Sequence, residues 1–155
     1  MRGLCGWYSV RDRADGGLCL SGMLDRGRAA PDARELRQSA HAGLAAHGGP
    51  LRPTLAETDG SWLVLAGHPR WMGEGPRLPE AAAILRVLRA RGRAALAQIG
   101  GDFSLAFWDG QRRSGLIAID RIGVHRLFYR AEANLLAFGS TLDLVTGFPG
   151  TSREL

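Results

Sequence analysis

Hydrophobic and polar residues are most clearly patterned between Gly100 and Ser140. In the first run of this segment, Phe103, Leu105 and Phe107 alternate with small or aromatic residues, so both faces of the predicted strand are covered. Asp109-Gly110 separates this run from further short runs of aliphatic and aromatic residues. The pattern predicts consecutive antiparallel hairpins, and a sheet that is apolar on both faces needs another layer on each side.

Shorter patterns predict the elements that come before and after these hairpins. In chain order they are strands at 4–10 and 18–21, a helix at 31–47, a hairpin at 54–57 and 62–66, a loop at 67–76, a helix at 79–98 and one helical turn at 141–145. Each predicted helix begins with Pro followed by an acidic residue, which suits the first turn and the positive end of the helix dipole. His41 and His47 lie six residues apart on the first predicted helix, so they do not share a face and no metal site is predicted.

Composition narrows the class of protein. The chain has 155 residues, of which 45% are hydrophobic and 23% charged, and this predicts one folded domain. No apolar run reaches the roughly 20 residues of a membrane helix, and no apolar stretch typical of a secretory signal follows Arg2. Cys5 and Cys19 do not make a disulfide framework, so a reducing cytoplasmic location is expected.

The basic charge does not indicate a nucleic-acid partner. The net charge is +5, every basic side chain apart from histidine is arginine, and the arginines are scattered along the chain. No base-stacking or groove-reading motif accompanies them. We therefore expect neither a nucleic acid nor a membrane as partner.

Four segments resemble one family. Gly101-Asp-Phe-Ser-Leu-Ala-Phe-Trp-Asp109 resembles the Gly-x-Phe-Ala-Phe-Ala-x-Trp/Tyr-Asp strand of the class II glutamine amidotransferase domain of asparagine synthetases. Residues 119–129, 136–140 and 4–6 are similar to that family's Arg-Asp-Arg-x-Gly-x-Lys-Pro-Leu-Tyr-Tyr, Phe-Ala-Ser-Glu and Cys-Gly-Ile segments. The resemblance implies an α+β fold, a four-layer αββα sandwich of the N-terminal nucleophile hydrolase type with antiparallel sheets, over residues 1–150. Residues 151–155 are then expected to begin a linker to an ATP-dependent synthetase domain.

The chemistry implied by the resemblance is hydrolysis of glutamine to glutamate and ammonia. Cys5 would be the nucleophile and its free α-amine the base, because a thiol and an amine of near-neutral pKa suit this step at pH 7. The ammonia would pass to a synthetase domain, in the same or another chain, that forms an amide. Glutamine and that domain are the implied partners, and a homodimer is compatible with them. No cofactor or metal is expected here, since ATP and magnesium belong to the synthetase domain.

The chain departs from the family pattern around this site. Four residues, Met1 to Leu4, precede Cys5. Removal of the initiator methionine needs a small second residue, and Arg2 is large. A free amine on Cys5 therefore requires cleavage after Leu4. The family's Asn-Gly-Glu segment, which supplies an oxyanion donor, is replaced by Ala66-Gly67-His68. The family's Gly-Ser-Asp segment, whose Asp binds the substrate amine, is replaced by Arg77-Leu-Pro-Glu80, so Glu80 is the candidate for that carboxylate. Arg52 is the candidate for the arginine that binds the substrate carboxylate, although its sequence context does not match.

Two further residues are candidates for substrate binding. Gly101 and Asp102 follow the second predicted helix, where glycine allows a ligand to approach the backbone closely. The alternative is a simple helix-to-strand turn. Asp120-Arg121, in the second resembling segment, is implied to be a structural ion pair. The predicted substrate-binding residues are thus Gly67, Glu80, Gly101 and Asp102, with Cys5 as the catalytic residue.

Three hypotheses about function follow. The first is a glutaminase domain of an asparagine-synthetase-like amidotransferase. The second is a catalytically degenerate module of the same fold, kept for folding or docking while its partner domain uses free ammonia or another amine. The third is an unrelated amidohydrolase of the N-terminal nucleophile fold, which would hydrolyse another amide through an unmasked Cys5.

Overall fold

The computed structural model describes residues 3–48, 53–73 and 79–150. Its elements are β1 (Gly3–Ser9), α1 (Gly16–Arg26), a 3-10 turn (Pro31–Ala33), β2 (Arg34–Gln38), β3 (Ala42–His47), β4 (Thr54–Thr58), β5 (Ser61–Trp71), α2 (Ala81–Arg91), a 3-10 helix (Gly92–Gln98), β6 (Ile99–Asp109), β7 (Ser114–Ile119), β8 (Phe128–Glu132), β9 (Leu135–Gly139) and α3 (Leu142–Thr146). They form two compact units, the first up to Pro53 and from Leu127 onward, the second from Thr54 to Arg126.

The first unit is a five-stranded antiparallel sheet in the order β2-β3-β1-β9-β8. Strand β1 lies at its centre and every residue in it is buried. Trp7 packs over Gly43 of β3, where a Cβ atom would lie 2.5 Å from the indole Nε1. Trp7 and Cys5 share one apolar core with residues of α1 and α3. The predicted first strand is confirmed.

The predicted strand at 18–21 is wrong, because this segment lies within α1. Cys19, Leu20, Met23 and Leu24 are buried, and their spacing is that of one helical face. The short apolar run Leu18-Cys-Leu does not by itself distinguish a strand from a helix. Packing of the longer stripe against β1 and β3 decides the outcome.

The predicted helix at 31–47 is also wrong, because the chain forms the hairpin of β2 and β3 after a single 3-10 turn. Ser39 closes the hairpin, with its Oγ accepting hydrogen bonds from the backbone nitrogens of His41 and Ala42. The six residues of β3 are all buried, and β3 pairs with both β1 and β2. Two ladders of hydrogen bonds therefore override the helix propensity of an alanine-rich segment. His41 and His47 accordingly lie on a turn and a strand.

The second unit is a four-stranded antiparallel sheet in the order β4-β5-β6-β7, with α2 packed on one face. The β4–β5 hairpin turns at Asp59-Gly60 as predicted, and both residues have positive φ angles, 47° and 70°. Positive φ at two consecutive turn residues suits the twist of a two-residue hairpin. Alternate residues of β6, namely Phe103, Leu105 and Phe107, join the apolar core beneath α2.

Two boundaries in the second unit differ from the prediction. Strand β5 continues to Trp71 and pairs with β6 from Trp62 to Trp71, so the predicted loop at 67–76 is wrong for its first five residues. Residues 74–78 lie outside the described part. The predicted helix at 79–98 is confirmed as far as Arg91, where Gly92, with a φ of 57°, ends α2 and a 3-10 helix follows.

The α+β class and the antiparallel sheets are confirmed. The four-layer order of the N-terminal nucleophile hydrolase fold stays a prediction. Within the described ranges, no helix has the length and apolar character needed to cross a membrane.

Candidate functional site

The predicted nucleophile, Cys5, lies in the middle of the central strand of the first unit. It pairs with Ala45 of β3 and Gly139 of β9, and its side chain is fully buried in the core that also holds Cys19. Burial raises the pKa of the Cys5 thiol to about 12, so the thiol is neutral at pH 7. A neutral, buried thiol is a poor nucleophile.

The nitrogen of Cys5 is a peptide nitrogen held within the sheet. Leu4, which precedes it, is fully buried. The backbone nitrogen of Leu4 donates to the Oγ of Ser140, and the backbone nitrogen of Ser140 donates to the carbonyl of Leu4. The strand therefore runs through Cys5 without a free amine beside the thiol.

Three of the four predicted substrate-binding residues come together in the second unit. Strands β5 and β6 pair so that Gly67 lies opposite Phe103, His68 opposite Asp102 and Pro69 opposite Gly101. This cross-strand pairing joins the Ala66-Gly67-His68 and Gly100-Gly101-Asp102 segments, which lie more than thirty residues apart in sequence.

The two glycines permit this close pairing. Gly67 and Gly101 have φ angles of 94° and 90°, which disfavour side chains. A Cβ atom on Gly67 would lie 2.2 Å from the carbonyl oxygen of Asp102, and one on Gly101 would lie 2.4 Å from that of His68. Both positions require glycine for local steric reasons.

The Asp102 carboxylate is shared by two histidines. Its Oδ2 lies 3.2 Å from Nδ1 of His68 and 3.4 Å from Nε2 of His125. The hydrogen bond from His68, and to a smaller extent that from His125, lowers the pKa of Asp102 below its usual value. His125 was not singled out as a site residue from the sequence. The available signal was its position in the second resembling segment, where His125 replaces the lysine of the family.

The lowered pKa of Asp102 should depend on both histidines that bond to it. His68→Ala should raise the pKa of the Asp102 carboxyl towards its ordinary value, and His125→Ala should raise it by less, because the His68 hydrogen bond has the larger influence. The pKa can be measured by following the carboxyl carbon through an NMR titration. His41→Ala, in the first unit, should leave this pKa unchanged.

The sign of the effect on stability follows from the same shift. Because the folded-state pKa of Asp102 is lowered, its ionised form contributes stability at pH values above the ordinary carboxyl pKa. That contribution is lost as the pH falls through the lowered pKa. An Asp102 pKa that stays the same in both histidine variants would contradict the assigned cause.

The turn that follows β7, next to His125, is held by hydrogen bonds to the side chain of Asp120. The buried carboxylate of Asp120 accepts hydrogen bonds from the backbone nitrogens of Ile122, Gly123 and Val124, at 2.8, 2.8 and 3.1 Å, and from that of Phe103, at 3.3 Å. Burial opposes ionisation, but these donors hold the pKa of Asp120 below its usual value. The resemblance implies a structural ion pair between Asp120 and Arg121, and the pairing with Arg121 is wrong. Asp120 is structural, but its partners are backbone N–H groups.

A cavity of about 430 Å³ opens between this turn and the start of β6. Gly101 and Asp102 line it, together with Arg70, Arg121 and several aliphatic side chains. Gly67 and Glu80 are not among its lining residues. Glu80 is exposed and stands directly before α2, where its carbonyl accepts hydrogen bonds from the backbone nitrogens of Ala83 and Ile84. Arg52 lies outside the described residues.

Within the part of the chain that is described, no group of three or more His, Cys, Asp or Glu side chains is arranged to hold a metal ion. The His68–Asp102–His125 cluster is joined by hydrogen bonds at the Asp102 carboxylate. Its two imidazoles and one carboxylate orient one another.

Residues 79–146 match the family model of a glutamine amidotransferase domain. This match supports a glutamine amidotransferase domain in the chain. The matched segment covers less than half of the 155 residues, from just before α2 to the end of α3. It includes Glu80, Gly101 and Asp102, while Cys5 and Gly67 fall outside it. No curated protein matches the chain.

Proposed function

We propose that this chain is a glutamine amidotransferase-type domain of the asparagine-synthetase-like class, with the N-terminal nucleophile hydrolase fold, that does not hydrolyse glutamine while Leu4 precedes Cys5. Its role would be to dock beside an ATP-dependent synthetase domain, in the same or another chain, that uses free ammonia or another amine. A cytoplasmic location is part of the proposal. Both cysteines are free thiols, which is the usual state in a reducing compartment.

The environment of Cys5 carries the proposal. The reaction needs a reactive thiol beside a basic amine. In this chain the thiol is fully buried with its pKa raised to about 12, and the neighbouring nitrogen is an amide in a paired strand. Neither half of the nucleophile–base pair is in a reactive state.

The segment that pairs with β6 supports the same conclusion. Ala66 has no side-chain donor for an oxyanion, and loss of one such donor typically costs about a hundred- to a thousandfold in rate. The imidazole of His68, the neighbouring polar side chain, is hydrogen-bonded to the Asp102 carboxylate.

Cleavage after Leu4 would create the second candidate, a glutaminase that uses Cys5. The observations in its favour are the Leu4-Cys5-Gly6 resemblance and the match to a glutamine amidotransferase model. Cleavage would free the amine of Cys5. It would also remove Gly3 and Leu4 from β1, with the two hydrogen bonds between Leu4 and Ser140.

A glutamate-release assay tests the proposal. We expect the intact chain to release no more glutamate from glutamine than its Cys5→Ala variant does. A second pair of proteins, lacking Arg2 to Leu4 and carrying either Cys5 or Ala at position 5, tests the cleaved form. Methionine removal before the small Cys5 would expose its amine, and mass spectrometry verifies the new terminus.

The outcomes separate the two candidates. Glutamate release by the intact chain that disappears in Cys5→Ala would overturn the proposal. Release only by the shortened chain with Cys5 would establish the glutaminase as a product of cleavage. Absence of release from all four proteins, each shown to be folded by circular dichroism, is the result expected for a docking module.

A further inference from the structure

The exposed large hydrophobic side chains of the second unit are concentrated at one place. Within the described part of this unit they are Met72, Ile119, Ile122 and Val124, and Ile122 is 89% exposed. All four line the cavity between the start of β6 and the turn after β7. Scattered single hydrophobics are ordinary on a surface, but a cluster around one concavity marks a binding site.

This arrangement is built into the fold. The Asp120 carboxylate ties the backbone nitrogens of Ile122 and Val124 into the turn, which holds both side chains out from the protein. Gly123 supplies the positive φ of 71° that the turn requires. The floor of the cavity includes Ile99 and Phe103, both buried residues of the α2 core. The cavity therefore has a packed apolar floor and a fixed apolar rim.

The charged side chains that line the cavity are two arginines and two aspartates, so their formal charges balance and only their pairing distinguishes them. Arg70 and Arg121 both line the cavity, and neither forms an ion pair with any described residue. The two carboxylates present are engaged elsewhere, Asp102 by two histidines and Asp120 by backbone nitrogens. A ligand therefore meets two available guanidinium groups.

The cationic and apolar groups lie close together. Arg70 lies opposite Gly100 in the β5–β6 ladder. A Cβ atom on Gly100 would be 2.5 Å from Sδ of Met72 and 3.8 Å from Nε of Arg70. The small residue at position 100 thus leaves room for both side chains beside the cavity.

We propose that this cavity binds a small carboxylate with an extended aliphatic body, the carboxylate bound by Arg70 and Arg121 and the body packed between Met72, Ile119, Ile122 and Val124. A volume of about 430 Å³ is within the range of small-molecule sites. Guanidinium groups favour carboxylates because their paired N–H donors match the two oxygens. The inference does not use Cys5 and is independent of glutamine hydrolysis.

The test is isothermal titration calorimetry of the intact chain with three ligands of equal chain length: decanoate, decanol and decylammonium. We expect decanoate to bind most tightly and decylammonium least. The Arg70→Gln/Arg121→Gln double variant should weaken decanoate about tenfold or more, because it removes both charges. Ile122→Ser should weaken decanoate and decanol alike, by about fivefold, because it removes apolar contact.

Arg93→Gln neutralises an exposed arginine of the same unit outside the cavity and should leave binding unchanged. Cys5→Ala should also bind decanoate normally, whatever the glutaminase assay shows. Equal binding of decanoate and decylammonium, or no decanoate binding at all, would overturn the proposal.

Two other occupants would also overturn it. Displacement of decanoate by glutamine would identify the cavity as the glutamine site. Self-association of the chain that Ile122→Ser abolishes, seen by analytical ultracentrifugation without ligand, would identify the face as an interface between copies.

Discussion

Gly101→Ala should lower the free energy of unfolding by about 3 kcal/mol, from the combined cost of an unfavourable backbone conformation and a steric clash. The φ of Gly101 is 90°, and an added Cβ atom would lie 2.4 Å from the carbonyl oxygen of His68. That oxygen belongs to the paired strand β5, so relief of the clash requires separation of β5 and β6. Urea denaturation of the wild type and the variant measures the loss.

Gly73→Ala is the matched control. Gly73 has almost the same φ, 88°, but no atom of the described residues outside its chain neighbours lies within 4 Å of the position that a Cβ atom would take. We therefore expect a loss of only about 1 kcal/mol, which reports backbone strain alone. Equal losses in the two variants would show that contact with β5 has no part in the requirement for glycine at position 101.

Asp120→Ala should lower the midpoint of thermal unfolding by on the order of 10 °C. The change removes a buried acceptor from four backbone N–H groups, those of Phe103, Ile122, Gly123 and Val124. Buried donors without an acceptor are costly, and the turn that carries Ile122 would lose its organising group. Differential scanning calorimetry measures the shift. Asp32→Ala, at an exposed aspartate, should change the midpoint little.

The effect of Asp120→Ala should depend on pH. The folded-state pKa of Asp120 is lowered, so its ionised form stabilises the fold above the ordinary carboxyl pKa. That stabilisation is lost as the pH falls through the lowered pKa. The difference between wild type and variant should therefore shrink in acid. A difference that stays constant down to the acid transition would show that the side chain acts through its shape and not its charge.

The proposal that Cys5 does not hydrolyse glutamine and the proposal that the cavity binds a carboxylate can be tested independently. Cys5 belongs to the first unit and the apolar cavity to the second, so variants in one test leave the other intact. A chain that binds decanoate and releases no glutamate would be a ligand-binding docking domain. If the chain neither binds decanoate nor releases glutamate, the match of residues 79–146 to a glutamine amidotransferase domain remains the only support for its function.

Elements whose signals are local could be predicted from the order of residues alone. Asp-Gly pairs predict the β4–β5 and β6–β7 hairpins, because such turns are stabilised by residues within the turn itself. At Asp109, for example, the carboxylate accepts hydrogen bonds from the backbone nitrogens of Gln111 and Arg112. Helix α2 is likewise predicted from its own apolar stripe, although the prediction carries it past Gly92, where the structure ends it.

The remaining elements depend on contacts between segments that are far apart in sequence. The alanine-rich segment around β3 has the composition of a helix, and it forms a strand because β1 and β2 pair with it on both sides. The buried state of Cys5 arises in the same way, since α1 and the neighbouring strands cover it. Asp102 and His125 meet because β6 and the turn after β7 bring together residues that are distant in sequence. Such pairings depend on long-range contacts, and no pattern within either segment specifies them.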